Sequence, residues 1–172
     1  YREIRYTEAP FCSPAAVHER GLMAYSFSKS HSVPGERIGY FAVNPACPNA
    51  TELVSAVSLA NRILGFTNAP SLFQRVMARC LDSVVDLAAY RSKRDRLLSA
   101  LRAKGYEVIE PEGTFYLFPR SPIPDDVEFV QALKAERVLV VPGSGFHGPG
   151  HFRIAFCVED AVIRNAMGGF EK

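Results

Sequence analysis

The sequence predicts an α/β protein whose two parts are joined by a long helix. Three observations lead to this prediction. Short strand-like segments flank a polar loop near residue 30, an apolar stripe at helical spacing runs from Pro70 to Gly105, and short strand-like and helix-like segments alternate after Tyr106. A mixed order of this kind is typical of layered α/β domains.

The first half of the chain is predicted to contain two strands and a helix. The strands are expected at residues 21–26 and 37–43. The helix is expected to begin at Asn49, which forms a capping-box pattern with Glu52, and to end at Gly65. Its apolar residues at helical spacing are Leu53, Val57, Ala60 and Leu64.

The second half is predicted to begin with one continuous helix. Pro70 suits its first turn and Gly105 ends it, which gives a length of about 50 Å. A second helix is expected at residues 126–136, capped by Asp125 or Asp126. The remaining elements are strands at residues 106–109, 114–118, 138–141 and 152–158, and a helix from about residue 159.

The composition is that of a folded domain with a balanced surface. The chain has 172 residues, 48% of them hydrophobic, so it is long enough to bury a core. The net charge of +2 comes from 20 basic and 18 acidic residues and gives no electrostatic reason to expect nucleic-acid or membrane partners. The basic residues Arg91, Lys93, Arg94 and Arg96 are predicted to form a solvated helix face.

The cysteines Cys12, Cys47, Cys80 and Cys157 are widely spaced and form no C-x-x-C pair. The 172 residues show neither a signal-peptide pattern nor an apolar run of membrane-spanning length. We therefore expect four buried free thiols in a cytoplasmic protein.

Residues 26–39, Ser-Phe-Ser-Lys-Ser-His-Ser-Val-Pro-Gly-Glu-Arg-Ile-Gly, are the segment richest in chemical groups. A single lysine is most often a surface residue, but Lys29 follows an apolar strand, lies among four serines and precedes Arg37 by eight positions. Several hydroxyls and a guanidinium make a good phosphate site. A lysine beside a phosphate can also carry an aldehyde cofactor as a Schiff base. These residues alone leave both interpretations open.

Ser26 and Lys29 also match the S-x-x-K pattern of penicillin-binding proteins and β-lactamases. Those enzymes need a later K-T-G element, and none of the five lysines here precedes a threonine. The S-D-N element is missing as well. This class of enzyme is therefore rejected.

Residues 143–148 spell G-x-G-x-x-G after an expected strand. A dinucleotide site needs a helix to begin there, but Pro149 and Gly150 follow, so a tight loop is expected. His147 and His151 flank this turn, and two histidines without a third ligand make a weak metal site. We expect no metal.

Arg153 lies in an otherwise apolar strand. Strand alternation places Arg153, Ala155 and Cys157 on one face, and Phe152, Ile154 and Phe156 on the other. The arginine could face water on an edge strand, or it could bind a substrate carboxylate through two parallel hydrogen bonds. The pattern does not decide between these two roles.

Together, these segments resemble the class I aminotransferases, which are pyridoxal-phosphate (PLP) enzymes of the type I fold. The resemblance covers essentially the whole chain in order and spacing. The family's lysine motif is similar to residues 26–39, and the stretch before its interdomain helix is similar to residues 68–70. Its small-domain hairpin is similar to residues 111–118. The two parts of its closing motif are similar to residues 141–146 and 152–156.

The resemblance implies a role for each candidate residue. Lys29 would form the Schiff base with PLP and move the substrate α-proton. Ser26 and Arg37 would bind the cofactor phosphate, and Tyr1 would bond the pyridine oxygen. Arg153 would bind the substrate α-carboxylate.

The resemblance also implies a domain organisation. Residues 1–83 would be the C-terminal part of a PLP-binding large domain, truncated on its N-terminal side. Residues 84–172 would be a small C-terminal α/β domain. Because residues 1–6 look like a strand already in progress and the chain does not begin with Met, we expect a fragment. The aspartate that bonds the ring nitrogen would lie upstream, so we expect the fragment alone to bind PLP weakly.

The implied activity is amino transfer between an amino acid and a 2-oxo acid by a cytosolic homodimer. Three alternatives remain, one of which is a fragment with no activity of its own, compatible with the others. A PLP-dependent lyase or synthase of the same fold shares these motifs, and a transcription regulator with an aminotransferase-like sensor domain keeps Lys29. The sequence does not identify the side chain of the substrate, although Arg62 and the general resemblance favour an aspartate-type substrate.

Overall fold

The structure, a computed structural model, describes residues 1–171 and is of the predicted α/β class. The chain forms two units, residues 1–4 with 8–85, and residues 5–7 with 86 onward. The strands are β1 Leu22–Ser26, β2 Gly39–Val43, β3 Tyr116–Leu117, β4 Val141–Pro142 and β5 Phe152–Ala155. The α-helices are α1 Pro14–Val17, α2 Phe27–Ser30, α3 Ala50–Ile63, α4 Ser71–Met77, α5 Leu87–Ala103, α6 Asp126–Ala135 and α7 Asp160–Ala166. Short 3₁₀ turns lie at Pro34–Glu36, Gly143–Phe146 and Met167–Glu171.

In the first unit, β1 and β2 form an antiparallel hairpin in which Ser26 lies opposite Gly39. The predicted strand 37–43 begins only at Gly39, because Arg37 adopts a left-handed conformation with φ 49°. The core beneath the hairpin consists of Phe27, Ile38 and Met77. Around these three pack the partly buried side chains of Tyr25, Val33, Ala69, Phe73 and Cys80.

Helix α3 confirms the helix predicted after Asn49, but the predicted cap is wrong in one respect. Asn49 occupies the N-cap position, yet its side chain makes no capping hydrogen bond. At the other end, Gly65 has φ 83°, its N–H donates to Arg62 O at 3.1 Å, and Phe66 N–H donates to Asn61 O at 2.9 Å. This pair of bonds is a Schellman motif, which requires the left-handed conformation that glycine adopts easily.

The single long helix predicted from Pro70 to Gly105 is wrong, because the structure has two helices, α4 and α5. Val85 N–H donates to Ser30 O at 3.0 Å instead of bonding within a helix. Asp86 then starts α5 by accepting a hydrogen bond from Ala89 N–H at 3.0 Å. The apolar periodicity continues across residues 78–86, but the long-range bond of Val85 to Ser30 and the local cap at Asp86 end the helical pattern there.

In the second unit, three strands form an antiparallel sheet in the order β3-β5-β4. Strand β5 is therefore central, and Phe152 on its inner face and Phe156 just after its end have no exposed surface. Phe152 contacts the rings of Tyr106, Phe129 and Phe170, with centroid distances from 4.9 to 6.3 Å. Helix α6 begins as predicted at Asp126, and its cap is Asp125, whose carboxylate accepts from Val127 N–H and Glu128 N–H.

Several predicted strands are shorter than expected or absent. Residues 106–109 are not a strand, since Tyr106 N–H donates back to Leu101 O at the end of α5 and Glu107 O accepts a single bond from Arg120 N–H. Residues 1–6 are not a strand either, because Ile4 N–H closes a turn onto Tyr1 O and a single bridge pairs Arg5 with Gly113. The strands expected at 114–118 and 152–158 are present but shorter, as β3 and β5. The strand expected at 138–141 is replaced by β4, which begins only at the last expected residue.

The predicted solvated face of α5 is wrong at Arg94, which is only 6% exposed. Its guanidinium lies 2.7 Å from an Asp95 oxygen and 3.2 Å from a Glu110 oxygen. It also lies over the Tyr6 ring, 4.5 Å from the centroid, and donates to Pro111 O. A buried charge is tolerated here because it is paired and hydrogen-bonded.

The cysteine prediction holds only in part. All four are free thiols, but Cys12 and Cys157 are exposed and Cys80 is intermediate, which leaves Cys47 as the buried one. Cys157 faces outwards because strand alternation puts it on the same side as Arg153 and Ala155. Within residues 1–171, no helix is both long and apolar enough to cross a membrane.

Candidate functional site

The lysine loop, residues 26–39, connects the two strands of the hairpin in the first unit. Ser26 ends β1 and caps α2, accepting a hydrogen bond from Ser28 N–H at 3.3 Å and donating to Ser28 Oγ at 2.8 Å. Lys29 lies in this single helical turn and is half-buried. Arg37 is exposed, and its Nη1 donates to Pro34 O at 2.8 Å.

Strand pairing brings three of the predicted site residues onto one loop. Phe27 N–H donates to Ile38 O at 3.1 Å, next to the last strand pair, Ser26 opposite Gly39. Ser26 and Arg37 therefore lie at the same end of the hairpin, one on either side of the Phe27–Ile38 pair. Lys29 follows two residues after Phe27. The hairpin closes tightly at Gly39, where a Cβ atom would lie 2.2 Å from Tyr25 O.

Apolar packing fixes the inner side of the lysine loop. Phe27 and Ile38 are 7% and 6% exposed and pack in the core with Met77 of α4. The Tyr25 ring stacks on Tyr40, at 5.0 Å between centroids, and meets Phe27 edge-on at 5.2 Å. The polar groups of the loop are thus carried on a rigid apolar base.

Behind the loop runs a chain of hydrogen bonds that the sequence alone did not reveal. Tyr25 OH donates to Ser30 Oγ at 2.8 Å, and Ser30 Oγ lies 2.8 Å from His31 Nδ1. His31 Nε2 lies 2.9 Å from Cys80 O. A carbonyl only accepts, so the proton of neutral His31 is on Nε2, and Nδ1 accepts from Ser30.

This chain ties the loop to the segment after α4. Ser30 is only 1% exposed, and its backbone carbonyl also accepts from Val85 N–H. Burial raises the pKa of Tyr25 to about 12, which keeps its hydroxyl protonated as a donor. The sequence signal for this chain of bonds was the adjacent pair Ser30 and His31, but Cys80, whose carbonyl bonds to His31, lies 49 residues from His31.

Tyr1, predicted to contact the cofactor, belongs to the same unit as the lysine loop. Its carbonyl accepts from Ile4 N–H at 2.9 Å, and its side chain is 44% exposed. The structure therefore places Tyr1 outside the hairpin that joins Ser26, Lys29 and Arg37.

Arg153 lies in the second unit, on the central strand β5, so it is not on an edge strand. The predicted alternation is confirmed, with Phe152, Ile154 and Phe156 buried on the opposite face. The Arg153 guanidinium lies over two aromatic rings, 4.5 Å from the centroid of Tyr116 and 4.1 Å from that of Phe146.

Phe146 is carried by the closing loop, residues 143–150. Gly148 N–H donates to Gly143 O at 2.9 Å, and Gly143 N–H donates to His151 O at 2.8 Å, so the predicted tight loop is confirmed. A Cβ atom on Gly143 would lie 2.2 Å from Gly148 O. Among residues 1–171, no group of three His, Cys, Asp or Glu side chains could hold a metal ion.

Asp126 anchors the closing loop. It is 5% exposed, and its Oδ2 accepts from Ser144 N–H at 2.7 Å. A further hydrogen bond comes from the backbone of Gly150. The Ser144 bond is the main cause that lowers the pKa of Asp126 below its ordinary value, and the opposing effect of burial is smaller. Sequence reasoning considered Asp126 only as a helix cap.

Comparison with known proteins places these features in context. The family model "Aminotransferase class I and II" matches residues 5–170. An aspartate/prephenate aminotransferase of Thermus thermophilus is 30% identical over 178 residues, which cover 100% of this chain and 46% of that protein. An aspartate aminotransferase of Thermotoga maritima is 30% identical over 99% of this chain and 45% of that protein. The chain thus spans about half the length of the curated relatives it matches.

Solved structures of aminotransferases also match nearly the whole chain. An amino transferase from Eubacterium rectale matches with a TM-score of 0.92 and 40% identity, over 99% of this chain and 43% of that chain. An aspartate aminotransferase from Thermus thermophilus with maleate matches with a TM-score of 0.77 and 26% identity, over 99% and 46% of the two chains. These similarities extend over both units of the structure.

Proposed function

The chain belongs to the aminotransferase class I and II family, and we propose that the protein containing it is a PLP-dependent aminotransferase. The substrates would be an amino acid and a 2-oxo acid. The observation that carries the proposal is the lysine loop, in which one tight hairpin holds Ser26, Lys29 and Arg37 together. The relatives named above are aminotransferases, which supports the same activity here.

The donor set of the lysine loop fits PLP. A phosphate needs hydroxyl and cationic donors, and the loop offers the Ser26 hydroxyl and the Arg37 guanidinium. An aldehyde needs a primary amine that solvent and cofactor can reach, and Lys29 is half-buried, not enclosed. When bound, PLP supplies an electron-withdrawing ring that stabilises negative charge at the substrate α-carbon.

Each residue would then have a defined task. Lys29 would hold the cofactor through Nζ, and the same amine would accept the substrate α-proton and return it, which is general acid–base catalysis. Ser26 and Arg37 would hold the cofactor phosphate, and the Tyr1 hydroxyl would donate to the cofactor ring. Arg153 would bind the substrate α-carboxylate through its planar fork of N–H donors.

We propose the same domain organisation as the sequence predicts, with residues 1–83 in a cofactor-binding large domain and residues 84–172 in a small domain. The substrate is proposed to be of the aspartate type, since relatives at about 30% identity are named for aspartate. We also propose a homodimer. Helix α3 has no buried residue and exposes Val54, Leu59 and Ile63 by 47%, 59% and 75%, an apolar surface suited to a partner subunit.

An amino-transfer assay tests the proposed activity. The protein containing this chain is loaded with PLP and assayed with L-aspartate and 2-oxoglutarate. Lys29→Ala should reduce turnover at least about 100-fold, the size of a general acid–base contribution. Lys134→Ala, an exposed lysine in the last turn of α6, is the matched control and should leave turnover unchanged. Equal turnover by Lys29→Ala and the unaltered protein would refute the proposal.

A further inference from the structure

The guanidinium of Arg153 is held by two rings that come from different elements. Tyr116 lies on β3 opposite Ala155, and residues opposite each other in an antiparallel pair share a face. Arg153 is two residues from Ala155 and so also lies on that face. The second ring, Phe146, comes from the closing loop and is 43% exposed.

This arrangement leaves the in-plane N–H groups of Arg153 for a ligand. Aromatic rings attract the flat face of a guanidinium, whereas a carboxylate binds its N–H groups in the plane. A free arginine side chain also loses rotamer freedom when it is fixed, which costs binding free energy. Rings that fix Arg153 before the ligand arrives reduce that cost of binding.

The closing loop is itself fixed at two points on either side of Phe146. The buried Asp126 carboxylate accepts from the backbone of Ser144, two residues before Phe146, and of Gly150, four residues after it. The bond from Gly148 N–H to Gly143 O closes the loop between them. These bonds hold the backbone that carries Phe146 beside Arg153.

We propose that Tyr116 and Phe146 are positioning residues, which orient the Arg153 guanidinium towards the substrate α-carboxylate, and that Asp126 holds Phe146 in place. This inference rests on the proposed function, since it assigns Arg153 a carboxylate ligand. It goes further than that function, because it states that two rings which do not bind the substrate increase the affinity of Arg153 for its carboxylate. Their removal should weaken carboxylate binding and leave the cofactor site in the other unit unaltered.

The test uses the PLP-loaded protein and maleate, a dicarboxylate that does not react. Phe146→Leu should raise the calorimetric Kd for maleate, and the KM for L-aspartate, about 3- to 30-fold, the range expected for loss of a partly desolvated cation–π contact. kcat should stay within about twofold, because the ring does not touch the reacting atoms. Phe146→Tyr keeps a ring and should restore both constants.

The matched control is Phe11→Leu, since Arg2 lies over the Phe11 ring at 5.3 Å in the other unit. It should leave both constants unchanged. Because Phe146 is substantially exposed, its replacement by Leu should leave the core folded, and Tyr116→Leu provides an independent second variant with the same expected effect.

The outcomes separate the two proposals. If the unaltered protein binds maleate and Phe146→Leu and Tyr116→Leu bind it equally well, the positioning role is wrong and the proposed function stands. If Phe146→Tyr is as weak as Phe146→Leu, the ring is not the cause and the positioning role is also wrong. If the unaltered protein neither binds maleate nor transfers amino groups, the proposed function fails and this inference fails with it.

Discussion

The two candidate arginines are held in different ways at the scale of single residues. Arg37 is exposed, sits at a positive φ and donates to Pro34 within its own loop. Arg153 lies on a central strand, and its charge lies over two rings. We therefore expect separate effects, with Arg37 acting on the cofactor phosphate and Arg153 acting on the substrate.

Arg37→Ala should weaken PLP binding about 10- to 100-fold, because it removes a charge-assisted hydrogen bond worth roughly 1.5–3 kcal/mol. The measurement is a PLP titration followed by cofactor absorbance. Arg75→Ala removes an exposed arginine from α4 of the same unit and serves as the charge control. An equal loss in both variants would mean that only the overall charge matters.

Arg153→Lys should weaken maleate binding by about tenfold or more while cofactor absorbance is preserved. Lysine keeps the charge but lacks the planar fork that binds a carboxylate at two points and lies flat on aromatic rings. Calorimetry with maleate gives the affinity. Unchanged affinity would show that Arg153 has only a structural role.

At the scale of elements, the sequence predicted those features that depend on local signals. The Asp125 cap, the Gly65 ending and the hairpin around Lys29 all follow from neighbouring residues. The break before Asp86 was missed because it depends on Val85 bonding to Ser30, which is distant in the chain. Apolar periodicity continued through the break and gave no warning of it.

The same reason explains what was missed in the candidate sites. Ser26, Lys29 and Arg37 lie within 12 residues of sequence, so their pattern was visible. The contacts of Arg153 join residues from three separate elements. The hydrogen bond of His31 Nε2 is to the carbonyl of Cys80, which is distant in the sequence. Such contacts arise only from tertiary packing. The burial of Arg94 was missed for this reason too, because Glu110 and Tyr6 come from other segments.

Gly65→Ala should destabilise the first unit by about 1 kcal/mol, because alanine is strained at φ 83°. A Cβ atom there meets nothing within 4 Å, so the cost comes from the backbone alone. Urea unfolding measures the change. Gly35→Ala is the matched control in the same unit, since its Cβ also meets nothing and its φ is not positive, and it should be neutral or slightly stabilising.

Asp126→Asn should destabilise the second unit in a pH-dependent way. The folded pKa of Asp126 lies below its ordinary value of 3.8, chiefly because of the Ser144 N–H bond. A lowered pKa contributes stability that is present above the ordinary value and is lost as the pH falls through the folded pKa. The difference in unfolding free energy between the variant and the unaltered protein should therefore be constant above about pH 5 and shrink below about pH 4. A difference that persists unchanged at pH 3 would contradict a charge-based anchor.

At the scale of the whole molecule, the proposed function divides between the two units. The first carries Tyr1 and the lysine loop, and the second carries Arg153 with its two rings and the closing loop. Each unit has its own apolar core, around Phe27 and around Phe152. The proposed reaction requires both, because Lys29 would hold the cofactor and Arg153 would bind the substrate.

The proposed role of Lys29 is tested most directly by identifying which lysine binds PLP. The protein containing this chain is loaded with PLP, reduced with borohydride so that the cofactor is fixed to its lysine, digested and mapped by mass spectrometry. We expect the pyridoxyl group on Lys29, the one lysine in the loop with Ser26 and Arg37. A label on Lys93, Lys104 or Lys134 in place of Lys29 would contradict it.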